Sequence, residues 1–216
     1  MSDGTERKGT PSEPGVGPEI PLSAVFEPCS FYDRAQADWY RSTPDEAPAG
    51  DTLASLLASL HFSNFTLWGL EDQARRTDVD DSVIAGLKRS IDAWNQRRND
   101  LIERIDERIL AALPAVDPSS AELHSETAGQ ILDRLSILSL KVWHMRRNAR
   151  LKDPSLAAEC AAKAAVLERQ RADLAGCLNR LYEDVRAGRR FFKQYRQYKT
   201  YNDPRLNPAL SKSSEP

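Results

Sequence analysis

In the segment LHFSNFTLWGLEDQAR, Leu60 to Arg75, Asn64 and Glu71 stand where an apolar stripe should run. With each residue advancing about 100° round a helix, Leu53, Leu56, Leu57, Leu60, Leu67 and Trp68 form one face, and Asn64 and Glu71 project near its middle with Arg75 close by. A second segment repeats the pattern. Its face is set by Ile84, Leu87, Ile91, Ile102, Ile105 and Ile109, yet Asn95 and Arg98 fall inside it, with Asn99 and Asp106 on its edge. A third, TAGQILDRLSILSLKVWHMRRN, is apolar nearly all round but carries Arg134 and Lys141 on one side and Asp133 and His144 on the neighbouring side. Burying a charge without a partner is costly, so these groups must face one another, face water in a cavity or meet a ligand.

The chemistry open to such a cluster is general acid-base work. Glu71 or Asp133 can serve as base, and His144 can exchange a proton near neutral pH. Arg98, Arg134 and Lys141 can clamp a carboxylate or phosphate, with Asn64, Asn95 and Asn99 bridging them. A network that only specifies helix register, with Arg and Lys snorkelling to water, explains the same residues as well. His61, Glu71, Asp72, Asp133 and His144 include metal-ligand types, but a carboxylate-bridged di-metal bundle needs Glu-x-x-His pairs and the sequence has none, so no metal is expected. No phosphate loop and no dinucleotide fingerprint occur, so an ATPase or Rossmann enzyme is excluded and no cofactor is expected.

A second signal lies in RAGRRFFKQYRQYKTYNDP. Arg186, Arg189, Arg190, Lys193, Arg196 and Lys199 alternate with Phe191, Phe192, Tyr195, Tyr198 and Tyr201, a pattern that can grip phosphates and stack on rings. Aromatics docking the tail onto the helices, with the charges in water, is the plainer account. Arg190 and Lys193 are the tail's ligand-binding candidates. Nucleic acid is disfavoured, because 30 Lys+Arg against 32 Asp+Glu leave no extended basic surface.

Around these residues the chain of 216 reads as one all-α domain, an antiparallel helical bundle of about five helices. Residues 1–21 are expected to be a disordered extension, 22–208 the bundle and 209–216 a disordered end. A first helix spans Leu22 to Arg41, with Pro28 interrupting it or setting its start. Asp51 is expected to cap the second helix, which runs to about Arg76, and Asp80 or Asp81 the third, which runs to about Leu113. Thr127 and Gln130 form a capping box for the fourth, through about Asn148. Asp153 and Pro154 open the fifth, which ends near Arg186 before Gly188. The fifth helix carries Leu156, Cys160, Leu167, Leu174, Leu178, Leu181 and Val185 on one stripe, with Cys177 assigned to the same apolar side. Three cysteines without close spacing argue for free thiols. With no signal-peptide core and no bilayer-length apolar stretch, a cytoplasmic protein without a membrane span is expected.

The stretches LWGLEDQAR, IDAWNQRRNDLIERID, SETAGQILDRLSILSLKVWHM and RRFFKQYRQYKTYNDP, in that order, resemble the bacterial domain-of-unknown-function family 4254 across roughly Leu53 to Pro208. The resemblance implies a small helical protein associated with glycosyltransferase and envelope-polysaccharide genes, with no established reaction. The family's turn before the fourth helix is of the Asn-Ser-Glu-Thr-Pro-Gly type. Here His124 and Ala128 replace its Asn and Pro, while Glu126 and Gly129 remain. Two functions follow as expectations. One is binding of, or action on, a small anionic ligand of sugar phosphate or nucleotide-sugar type, in polysaccharide or specialised-metabolite biosynthesis. The other is a non-catalytic accessory protein docking to a glycosyltransferase through the basic aromatic tail. A homodimer is left open.

Overall fold

The computed structural model describes residues 27–196, 203 and 205–207. The expected disordered ends, residues 1–21 and 209–216, lie outside the described residues, as do Tyr198, Lys199 and Tyr201. Five helices carry the fold: α1 (Pro28–Trp39), α2 (Leu53–Ala74), α3 (Asp81–Ala112), α4 (Ala128–Asn148) and α5 (Pro154–Arg186). Helix α2 packs along α3, α4 packs along α5, and α1 lies against α4. The bundle is all-α, with a core of Tyr32, Leu56, Leu60, Ile105, Leu132, Leu135 and Leu178, each fully buried.

Local chemistry sets most helix ends. Pro28 begins α1, because a ring without an N–H is tolerated in a first turn and not inside a helix. Thr127 accepts from the Gln130 N–H at 3.2 Å while the Gln130 side chain accepts from the Thr127 N–H at 2.8 Å, closing the capping box of α4. Asp153 accepts from the Ser155 and Leu156 amides over Pro154. At the other end of α5, Gly188 takes φ +71°. The Arg189 and Gly188 amides then reach back to Asp184 and Val185, a closure that favours a residue without Cβ.

Three expectations are corrected. Asp51 does not cap α2. Thr52 does, accepting from the Ser55 N–H, while Asp51 pairs with Arg104 and Arg108 on α3. Leu156 and Cys177 are exposed, because α5 extends past its neighbours at one end and turns Cys177 outward at the other. A short parallel pair also appears, β1 (Glu122–Leu123) with β2 (Arg190–Phe191), where none was expected. Two residues per strand are too few to show alternation.

Candidate functional site

The polar residues of α2 and α4 meet face to face. Asn64 Nδ2 donates to Asp133 Oδ1 at 2.8 Å and to Ser136 Oγ at 2.9 Å, and Ser136 Oγ lies 2.8 Å from His61 Nδ1. Arg98 reaches in from α3, its Nη1 donating to Asn64 Oδ1 at 3.4 Å and its Nε 4.0 Å from Asp133 Oδ1. Ser136 and His61 are fully buried, so neither can act on an outside molecule. Burial pushes His61 down to about 3, which keeps it a neutral hydrogen-bonding ring at physiological pH. Burial likewise raises Asp133, while the Arg98 charge and the Asn64 hydrogen bond pull it back.

Outward from this network opens a cleft of about 390 Å³. Asn64 and Arg98 line it together with Leu67, Trp68, Glu71, Asp72 and Arg75. Arg98 is its most informative wall. Its side chain is only 26% exposed, and its buried Nε has no hydrogen-bond acceptor although Asp133 balances its charge. That buried edge faces Asp133, so a ligand oxygen can be taken only by the N–H groups of the part of the guanidinium that is exposed at the cleft.

Beside the cleft, Trp68 stacks on His144 with centroids 4.3 Å apart and planes at 11°. Tyr40 approaches the same imidazole, its hydroxyl 2.6 Å from Nε2. Burial, and then the charge of Arg147, lower His144, against a smaller pull upward from Asp72. Burial pushes Tyr40 up to about 12. A protonated phenol facing a neutral imidazole can donate to Nε2, which places the His144 proton on Nδ1.

The cluster is smaller than the helical wheels suggested. Glu71 does not enter it: its side chain is 46% exposed and pairs with Arg75 at 3.2 Å. Arg134 turns outward to both oxygens of Glu126 at 2.7 Å. Lys141 is exposed on the side of α4 that faces α5. Asn95 and Asn99 are half-buried on α3 and do not join the network. Asp106 is buried, but at the first turn of α4, where it accepts from the Gly129 N–H at 2.7 Å. Glu71→Gln is therefore expected to change stability by less than about 0.5 kcal/mol, the scale of an exposed pair. Urea denaturation showing a loss of several kcal/mol would mean that Glu71 anchors the fold.

In the tail, acids of neighbouring elements pair with arginines that have no acid among them in the sequence. Arg189 pairs with Asp184, Arg190 with Glu122 and Asp184, and Arg196 with Glu107. Phe192 is buried, and Lys193 is exposed with its ammonium 5.7 Å from the Phe191 ring centre. Among the described residues, no group of three His, Cys, Asp or Glu could hold a metal ion, and no helix is long and apolar enough to cross a membrane.

The network and cleft sit on α2, α3 and α4, and the family model described as protein of unknown function (DUF4254) matches residues 54–194, which contain all three but for the first residue of α2. The chain belongs to this family. No curated protein and no solved structure matches the chain.

Proposed function

We propose that this chain binds a small anionic, hydroxyl-bearing ligand of sugar phosphate or nucleotide-sugar type in the cleft between α2, α3 and α4. The guanidinium of Arg98 carries the reading, because it is partly exposed in the cleft wall, held from behind by Asp133, and can donate to an anionic oxygen. Glu71 and Asp72 at the same cleft suit ligand hydroxyls, and Trp68 adds aromatic surface to its wall. For a reaction step, Glu71 faces the cleft directly, while Asp133 acts behind Arg98 and Asn64. His144 reaches the cleft only through Trp68. A place in polysaccharide or specialised-metabolite biosynthesis rests on the family likeness alone. Docking to a glycosyltransferase through the tail has less support, since Arg189, Arg190 and Arg196 are already paired within the chain.

Thermal-shift screening of nucleotide-sugars and sugar phosphates, followed by calorimetry, tests the proposal, because a ligand that binds only the folded state raises the melting temperature. Arg98→Gln is expected to weaken the best binder by about ten- to a hundred-fold, the worth of one charge-assisted hydrogen bond. Unchanged affinity in that variant would place the ligand elsewhere.

A further inference from the structure

On the far side of Trp68 lies a second recess, of about 500 Å³, between α4 and α5. Trp68, Met145, Ala162, Val166 and Leu167 line it, and Val166 is 44% exposed there. The volume is that of a small-molecule pocket rather than of a protein interface. Its polar rim is simple in charge. Glu159 and Lys163 hydrogen-bond to each other and cancel, while Lys141 has no hydrogen-bond or acidic partner among the described residues. Lys141 and Gln170 also line the adjoining recess along α4, so they stand where the apolar groove ends and polar surface begins. One uncompensated cation at the end of an apolar groove matches one kind of ligand.

We infer that this groove binds a free, single-chain amphiphile with an anionic head, its hydrocarbon against Met145, Val166 and Leu167 and its head at Lys141. The site is separate from the Arg98 cleft, although Trp68 forms a wall of both. The groove lies between helices of one chain, and its volume of about 500 Å³ is that of one small ligand, which suits a single amphiphile taken up from solution.

Calorimetry with octyl, nonyl and decyl phosphate, each below its micelle concentration, reads the inference on the full chain. Affinity is expected to rise by about two- to four-fold per added methylene, the upper figure being that of full burial. Val166→Glu alters an exposed position, so it leaves the fold intact and should abolish binding. Lys141→Gln should weaken decyl phosphate by up to about five-fold, as for an exposed ion pair, and leave decanol unchanged. Arg98→Gln should leave decyl phosphate binding unchanged, which keeps this result independent of the cleft. Affinity that ignores chain length, full binding by Val166→Glu, equal loss of decanol and decyl phosphate on Lys141→Gln, or binding only to phosphatidylglycerol vesicles would each overturn the inference.

Discussion

Gly129→Ala is expected to cost on the order of 3 kcal/mol and lower the melting temperature by roughly 10 °C. The residue is the second of α4, and a Cβ built on it falls 2.8 Å from the Ile102 carbonyl oxygen and 2.9 Å from Asp106 Oδ1. One obstacle is helix backbone and the other is a buried carboxylate, so neither swings aside as a flexible side chain does. Helix α4 must move away from α3, which strains the core and stretches the 2.7 Å hydrogen bond from the Gly129 N–H to Asp106. Gly69 and Gly86 are helical glycines with nothing within 4 Å of the same construction. Their alanine variants should gain about 0.5–1 kcal/mol, since glycine is a poor helix former. Equal effects at all three positions in urea denaturation would show that propensity rather than close approach governs Gly129.

Asp106 gives the second large effect, visible as pH dependence. Burial pushes its carboxyl up to about 6, against lowering by the Thr127 hydroxyl and the Gly129 amide and a further rise from Glu103. Between about pH 3.8 and 6 the folded chain keeps a proton that the unfolded chain has lost. Stability therefore falls as pH rises through that window, by about 3 kcal/mol for a two-unit shift, and levels off above it. Asp106→Asn keeps an oxygen for the Gly129 amide and has no charge to desolvate. Its stability relative to the parent chain should climb by about 2.5 kcal/mol from pH 4 to pH 7, and taking the difference cancels other titrating groups. A difference that stays flat across the window would show that Asp106 is ionised in the fold at little cost.

The starts of α4 and α5 were readable because their caps are local. Thr127 with Gln130, and Asp153 with Pro154, carry their own hydrogen bonds within one turn. Membership of the polar cluster was harder to read, because a helical wheel gives direction but not depth. Glu71 points along the same face as Asn64 but sits in the last turn of α2, where that face opens into the cleft and Arg75 pairs with it. Arg134 and Lys141 are both exposed on α4, Arg134 beside half-buried Ile137 and Leu138 and Lys141 at the edge of the groove towards α5. Ser136, which accepts from Asn64, was missed because a serine breaks no hydrophobic pattern. The spacing from Asp133 to Ser136, three residues on the same helical face, was the available clue. Glu126 and Gly129, the two family-turn residues retained here, prove to have separate tasks: one holds Arg134 and the other lets α4 approach α3.

The strand pair β1–β2 has a consequence for how the chain folds. Glu122 and Arg190 are 68 residues apart, with the whole of α4 and α5 between them. Bringing such distant segments together costs loop entropy, and one two-residue ladder returns too little to offset it. The pair must therefore form after α4 and α5 have packed and brought its two halves within reach. The Glu122 and His124 amides, which donate across to Arg189 and Phe191, then belong to a clasp that closes last. On the native protein their hydrogens should exchange with solvent ahead of those in the helical core, which marks the clasp as the first part of the fold to open.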